Sequence, residues 1–441
     1  MAAPRKPKVV KLTCPPSETH LGVNFLGFFS CLAMLAAIRA FAPEMDILTI
    51  SILAMLATIT PVLLVEVLVF KVYRRPTAGL KPDNAITPAN PERVAIKLVG
   101  LIATFAFLGF LYWLLPEYKK PLYERYWTLL SYGIPLLMLL AIPYFWLMDS
   151  RMKAPDDAYL EMGHLALFRW KGLDIGLIGR HLRNWLVKGF FLPLMFVYLG
   201  GNAQTIVTYD FSKMNSFIDF YDYMYNFLFF GDLIYAAVGY AMTFRIFDTH
   251  IRSSEPTFRG WMVALVCYAP FWQGVFYANY FAYDDNFFWG HWLADYAGLK
   301  IMWGCLIMLL IVVYSTATIC LGYRFSNLTY RGLVTNGPYR FTKHPAYVSK
   351  NLSWWLISVP FISHEGVLAA ISHSCLLLGV NLIYYLRART EEAHLSHYPE
   401  YVQYGLYMNE HSLFAPLTKF LPFLKYQAPA HLPLKAVADK V

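Results

Sequence analysis

The feature that most constrains this sequence is a set of long apolar runs, each of roughly 18 to 25 residues, that recur along almost its whole length. A helix of that length crosses the roughly 30 Å hydrocarbon core of a bilayer. Such runs must be helical, because backbone polar groups in lipid have to be satisfied internally. Of the 441 residues, 58% are hydrophobic and 15% are charged, whereas soluble domains carry about 25% charged residues. The sequence therefore predicts an all-α, polytopic membrane protein.

The apolar runs predict about ten transmembrane helices. In chain order, the predicted spans are 21–42, 47–71, 94–115, 127–147, 182–202, 224–244, 260–282, 299–321, 346–363 and 367–386. The sixth and seventh are the least apolar, because they contain Asp232, Asn279 and many tyrosines. The last two are predicted to form a helical hairpin that carries a cofactor site.

Lysines and arginines are distributed unevenly between the predicted loops, and this asymmetry predicts the orientation of the chain. Positive charge is concentrated at the N-terminus and in the loops that follow even-numbered spans, whereas the intervening loops are mostly acidic or mixed. Both termini and the even-numbered loops are therefore predicted to be cytoplasmic. The N-terminal charges are Arg5, Lys6, Lys8 and Lys11. The net charge of +9 reflects this bias and contact with anionic membrane lipids, and nothing indicates a nucleic-acid partner.

The six cysteines form no CxxC pair and no spacing typical of a metal site. Most lie inside predicted spans, where a buried thiol packs as a small apolar residue. The sequence therefore predicts neither a metal site nor a disulfide framework.

Polar residues inside the predicted spans divide the chain near residue 298. Before this point they are scattered, whereas after it they are concentrated at the cytoplasmic ends of the last three spans. We interpret 1–297 as a multi-span membrane region that serves as a scaffold or as substrate access. We interpret 298–441 as the module that carries the chemistry.

The segment before the ninth span has the features of a helix entrance. Gly337 and Pro338 indicate a turn, since glycine permits positive φ and proline fixes its own φ. Pro345 is suited to open the helix, because a proline in the first turn loses no hydrogen bond. His344 then lies at the entrance and Tyr347 lies in the first turn. The free N–H groups of such a helix start favour an anionic group, for example a ligand carboxylate.

The tenth span is predicted to return antiparallel after a short outer turn, so its C-terminal continuation emerges beside His344. Arg387 and Glu391 are four residues apart and share one helix face. Glu391 and Glu392 point in directions about 100° apart. One glutamate is therefore predicted to face a bound ligand, and the other a neighbouring loop or water.

These residues together resemble the motifs of a known family. The motifs are Gly337-Pro338-Tyr339, Lys343-His344-Pro345-Ala346-Tyr347, Glu391-Glu392 and Tyr401-Val402-Gln403-Tyr404. In this pattern the C-terminal third resembles the integral membrane isoprenylcysteine carboxyl methyltransferases and the related phospholipid methyltransferases. The rest of the chain carries no such resemblance.

The resemblance implies an S-adenosylmethionine-dependent methyltransferase whose acceptor is lipid-like or prenylated, of the isoprenylcysteine carboxylate type, at the cytosolic membrane face. The residues that it implicates in cofactor binding are Gly337, Tyr339, His344, Pro345, Tyr347, Glu391 and Glu392. Within that set, the two glutamates would bind the ammonium or the ribose hydroxyls. Arg387 or Arg389 would lie nearer the acceptor, as candidate catalytic residues.

Two other functions stay open on the sequence alone. Membrane sterol reductases, which bind NADPH, also have about ten spans, but they typically show Arg-His-x-Asn-Tyr at the ninth helix. Pro345 and Ala346 in this chain favour methyl transfer instead. A non-enzymatic transporter or scaffold would fit the short spacing between Glu391 and Tyr401 and the lack of an arginine just before Pro416.

Overall fold

A computed structural model describes residues 12–429, so the predicted N-terminal charges Arg5, Lys6, Lys8 and Lys11 lie outside the described residues. The described chain is mainly helical, with only two strands of two residues each, which confirms the predicted all-α class. Its α-helices are α1 (Leu21–Phe41), α2 (Ile47–Leu64), α3 (Pro91–Leu114), α4 (Glu124–Arg151), α5 (Ala158–Ala166), α6 (Ile175–Thr208), α7 (Phe217–Ala241), α8 (Phe258–Leu265), α9 (Ala278–Tyr280), α10 (Trp289–Trp292), α11 (Ala297–Leu321), α12 (Pro345–Ser358), α13 (Val367–Leu395), α14 (Pro399–His411) and α15 (Leu417–Phe420). π-Helical turns extend α2 over Val65–Val69 and precede α9 over Trp272–Tyr277.

Within residues 12–429, seven helices are long and apolar enough to cross a membrane. They cover Leu21–Phe41, Ile47–Val69, Pro91–Leu114, Pro121–Arg151, Ile175–Thr208, Ala297–Arg324 and Val367–Leu395. Their outer surfaces expose many large apolar side chains, among them Phe29, Leu139 and Leu368. So many exposed large apolar side chains on these helices are suited to lipid rather than to water. The chain is therefore an integral membrane protein, although the predicted count of about ten spans is not confirmed.

The helix α7 coincides with the sixth predicted span, but it is less apolar than the seven helices above. It carries Asp219, Asp222 and Asp232. Asp232 is buried, and its carboxylate accepts hydrogen bonds from the hydroxyls of Tyr314 and Thr318 on α11. This buried carboxylate is thus satisfied inside the protein.

The seventh and ninth predicted spans differ from the structure in length. A continuous helix over 260–282 is wrong, because α8 ends at Leu265 and Pro270, which lacks a backbone N–H, lies in the irregular stretch that follows. The helix α12 has 14 residues, about 21 Å of helix, which is shorter than the hydrocarbon core. It ends before Pro360, where Val359 adopts a left-handed φ of 46°.

The largest apolar core lies where α1, α2, α6 and α7 meet, with the end of α11 beside them. Leu35, Phe191 and Ile234 are almost completely buried there. Gly27 allows α1 to approach α2 and α7 closely, since a Cβ at this position would lie 2.6 Å from Val62 Cγ2. These helices form the framework against which α11 packs, and α12 packs on α11 in turn.

A short antiparallel strand pair, which the sequence did not predict, joins the two halves of the chain. Strand β1 (Ser253–Ser254) pairs with β2 (Thr329–Tyr330), with Ser253 opposite Tyr330. The N–H of Glu255 continues the ladder by donating to Leu328 O at 2.8 Å. This pairing places the segment after α7 beside the loop that leads from α11 to the hairpin.

The segment before α1 is held to the same loops by a buried ion-pair network, which we call the N-terminal clamp (Glu18, Asp248, Arg252 and Arg324). Glu18 pairs with Arg252 at 2.5 Å and with Arg324 at 3.2 Å. Asp248 pairs with Arg324 at 3.0 Å and with Arg252 at 3.5 Å. Each carboxylate thus bridges the same two arginines, which come from distant parts of the chain.

Candidate active site

The α12–α13 hairpin brings together the residues that were predicted to meet at its open end. His344 precedes the first residue of α12, and its Nε2 lies 3.2 Å from Glu392 Oε1 near the end of α13. One turn into α12, the hydroxyl of Tyr347 donates to Glu391 Oε2 at 2.7 Å. The rings of His344 and Tyr347 are stacked nearly parallel, with centroids 5.4 Å apart.

Glu392 is the centre of a buried charge cluster, which we call the Glu392 cluster (Lys343, His344, Arg389 and Glu392). The side chain of Glu392 is only 6% exposed. Lys343 Nζ lies 2.6 Å from its Oε1, and Arg389 donates to its Oε2 at 2.8 Å. Burial lowers the pKa of Lys343, although the carboxylate beside it acts in the opposite direction. With two cations and an imidazole around one carboxylate, this cluster fixes the loop before α12 to the end of α13.

Glu391 points away from this cluster into a cavity. Its side chain is 42% exposed, and only one of its carboxylate oxygens accepts a hydrogen bond from the described chain. The cavity is small in this structure, with a volume of about 40 Å³, and it opens to solvent. It is lined by Glu255, Gly260, Ala264, Ser326, Asn327, Leu328, Thr329, Tyr347, Arg387, Thr390, Glu391 and His394. The two adjacent glutamates therefore face different surroundings, as their 100° separation on a helix requires.

Arg387 lines the same cavity and is 6% exposed. Its guanidinium lies 5.0 Å from the ring centre of Tyr347 and 5.2 Å from that of Tyr268. It donates to Asn327 Oδ1 at 2.6 Å and to the hydroxyl of Tyr268 at 3.1 Å. Within residues 12–429 it forms no ion pair with a carboxylate, so a buried cation faces the cavity with only neutral partners. Arg389, in contrast, belongs to the Glu392 cluster and does not line the cavity.

The other predicted residues build the loop rather than the cavity wall. Gly337 has a left-handed φ of 54°, and a Cβ there would overlap the sulfur of Cys320. The carbonyl of Tyr339 accepts a hydrogen bond from the hydroxyl of Tyr404 at 2.6 Å, which ties the turn to α14. Pro345 is the first residue of α12, as predicted. The structure thus places Tyr347, Glu391 and Arg387 at the cavity, and the remaining predicted residues behind it.

Sequence reasoning missed several polar residues of the cavity, notably Glu255, Asn327, Thr329 and His394. A signal existed for His394, because it lies three residues after Glu391 and therefore near the same helix face. No local pattern marks the other three, since β1–β2 pairing and the turn after α11 bring them to the hairpin. Within the described residues, no group of three or more His, Cys, Asp or Glu side chains is arranged to hold a metal ion.

Comparison with known proteins finds a family similarity in this part of the chain. Residues 300–397 match the model of the isoprenylcysteine carboxyl methyltransferase (ICMT) family. The match runs from α11 to just beyond α13 and includes Tyr347, Arg387 and Glu391. No curated protein and no solved structure matches the chain. The C-terminal part of this integral membrane protein is therefore similar to a methyltransferase family, and the match indicates methyltransferase activity.

Proposed function

We propose that this protein is an S-adenosylmethionine-dependent methyltransferase that acts on a lipid-like or prenylated acceptor at the cytosolic membrane face. The observation that carries the proposal is the cavity at the open end of the α12–α13 hairpin. There, a buried arginine without an acidic partner and a carboxylate with a free oxygen lie within the segment that matches the methyltransferase family. Such a pair is suited to hold charged ligand groups of opposite sign.

The residues at the cavity fit the chemistry of the cofactor. S-adenosylmethionine carries an ammonium, a carboxylate and ribose hydroxyls, and Glu391 offers a carboxylate oxygen that no donor of the described chain occupies. When bound, the cofactor would supply a methyl group activated by a sulfonium. We assign Tyr347 and Glu391 to cofactor contact. His344, Pro345 and the turn at Gly337–Tyr339 act by holding the loop that shapes the site.

The task of the protein in such a displacement is to orient the two reactants and to exclude water. The rings of Tyr268, Tyr347 and Tyr384 surround the Arg387 guanidinium, with centroids 5.0 to 5.8 Å away. They fix its direction and keep water from it. A carboxylate acceptor would supply the missing counter-charge, and it needs no general base because it is already ionised. This favours an acceptor of the isoprenylcysteine carboxylate type.

The region before residue 298 would then support the module and admit the acceptor from the bilayer. The positive charge of the even-numbered loops supports a cytosolic position for the open end of the hairpin, since the loop before α12 carries Arg324, Arg331, Arg340 and Lys343. Both described ends of the chain would lie on that same side.

Calorimetric titration of the detergent-solubilised protein with S-adenosylhomocysteine, beside NADPH, tests cofactor use. We expect binding of S-adenosylhomocysteine by the wild type and a loss of about 10-fold or more in affinity for Glu391→Ala, which removes a charge-assisted contact of about 1.5–3 kcal/mol. Binding of NADPH in place of S-adenosylhomocysteine would contradict the proposal and indicate a reductase. Binding of neither would contradict enzymatic function.

Transfer of labelled methyl groups to a farnesylated cysteine analogue tests the role of Arg387. We expect Arg387→Met to lower the rate by about 100-fold, equivalent to about 2.7 kcal/mol of lost transition-state stabilisation. The matched control is Arg389→Met, two residues along α13 and outside the cavity, which should keep most of the transfer rate per folded molecule. Equal losses in the two variants, at equal melting temperature, would contradict the assignment of Arg387 to the acceptor.

A further inference from the structure

The cavity contains a second carboxylate, Glu255, which lies outside the segment that matches the methyltransferase family. Glu255 is 4% exposed. It follows β1 directly and precedes α8, so the half of the chain without family similarity contributes it. Its position in the wall of the cavity raises the question of which ligand group it meets.

The surrounding chain holds Glu255 in a defined position. Its backbone N–H pairs with Leu328 O, and its Oε1 accepts from the N–H of Thr257 at 2.9 Å and from the hydroxyl of that residue. Gly260 provides the space for the side chain, because a Cβ there would overlap Cγ and Cδ of Glu255. A carboxylate that is fixed at one oxygen, in a space that only a glycine leaves open, is preorganised.

The second carboxylate oxygen, Oε2, accepts no hydrogen bond from residues 12–429. His394 Nδ1 lies 3.9 Å from it, which is beyond hydrogen-bond distance. Tyr398 donates to Ser253 Oγ at 2.7 Å, and a hydrogen bond of 2.9 Å joins the same Oγ to His394 Nε2, which holds the imidazole ring in place.

A further polar group in the cavity wall has no partner. Thr329 Oγ1 on β2 is buried and forms no hydrogen bond within the described chain. Burying the Thr329 hydroxyl without a partner is costly, which indicates a ligand that supplies a donor, and Glu255 Oε2 is open to accept from the same ligand. Among the lining residues, the two carboxylates of Glu255 and Glu391 face the single permanent cation of Arg387. This charge balance favours a positively charged ligand group.

We propose that Glu255, His394 and Thr329 form a subsite for the ammonium of a bound primary amine. The ammonium donates to the free Oε2 of Glu255 and to Thr329 Oγ1, while His394 closes the subsite on the α13 side. This proposal rests on the proposed methyltransferase function. The ammonium has two possible sources, namely the methionine portion of the cofactor or an amino group of the acceptor.

Glu255→Gln tests the proposal in the full-length, detergent-solubilised protein. Two probes are titrated: S-adenosylhomocysteine, which carries the ammonium, and 5′-methylthioadenosine, which lacks the whole amino-acid portion. If the cofactor is the source of the ammonium, the variant loses about 10-fold or more in affinity for S-adenosylhomocysteine. Its affinity for 5′-methylthioadenosine stays unchanged. If the acceptor is the source, both affinities stay unchanged, and KM rises about 10-fold for a farnesylated cysteine with a free amine but not for its N-acetyl form.

Thr329→Val provides a second variant that should not disturb folding, because the hydroxyl that it removes has no partner in the described chain. It should shift the same measurement as Glu255→Gln by a smaller factor, about 3-fold. The subsite alone would be overturned if the wild type binds S-adenosylhomocysteine but neither variant changes the affinity for a probe or the KM for the farnesylated cysteine with a free amine. A wild type that binds no S-adenosylhomocysteine would overturn the proposed function and the subsite together.

Discussion

The two faces of the last turns of α13 differ in how completely their charges are paired. On one face, Glu392 is buried and bonded to cations at both oxygens. On the other face, Glu391 and Arg387 meet a cavity with unfilled hydrogen-bonding capacity. The two adjacent glutamates therefore have different roles. The paired carboxylate of Glu392 stabilises the structure, whereas the carboxylate of Glu391 has an oxygen available to a ligand. The sequence alone does not show which of the two glutamates has which role.

The largest expected effect comes from removing the glutamate on the paired face. Glu392→Ala leaves Lys343 and Arg389 without their carboxylate in a buried position, which costs about 3–5 kcal/mol of folding free energy. We expect a large fall in melting temperature in detergent, measured by the fluorescence of the many tryptophans. The loop before α12 should also become accessible to limited proteolysis.

The matched control for that experiment is Glu391→Ala, one residue away. Its side chain is 42% exposed, so we expect the melting temperature to change little while the affinity for S-adenosylhomocysteine falls. Similar melting temperatures for the two variants would mean that the two faces are equivalent, and the comparison would not hold.

An intermediate effect is expected at the turn that supports the paired face. Gly337→Ala forces a side chain into the left-handed region, which costs about 1–2 kcal/mol, and places its Cβ against Cys320 Sγ. We expect a moderate fall in melting temperature. A second substitution, Cys320→Ala, should remove the loss of stability that comes from the steric overlap and leave the loss that comes from the left-handed backbone. Full recovery in the double variant would show that the positive φ of 54° carries no strain.

The smallest expected effect is the pH dependence of the Glu392 cluster. Because burial lowers the pKa of Lys343 below its ordinary 10.5, the unfolded chain binds this proton more tightly than the folded protein does. Stability contributed by this residue therefore rises with pH in the window just below 10.5 and is lost as the pH falls. Lys343→Met should remove this rise in melting temperature, whereas Lys419→Met at an exposed position should keep it. A rise that persists in Lys343→Met would assign it to other groups.

The sequence predicted well those features that depend on local pattern. Membrane helices, the return of the hairpin, Pro345 at the start of α12 and the divergence of Glu391 from Glu392 all follow from apolar length or helical period. Features that depend on distant pairing escaped prediction. Glu255 lies at the cavity because β1 pairs with β2. Strands of two residues are too short to produce a periodic pattern in the sequence. The seventh span was mispredicted because residues on both sides of Pro270 were taken as one continuous helix.

The N-terminal clamp has a consequence for the way in which this protein is made. Glu18 lies 234 positions before Arg252 and still farther before Arg324, so a ribosome synthesises the acid long before either arginine exists. Glu18 must therefore remain without Arg252 until the helices through α7 have been made, and without Arg324 until α11 has been made. Its ion pairs close only late in biogenesis. Glu18 can therefore pair with both arginines only when the helices between these residues have been inserted in the correct orientation.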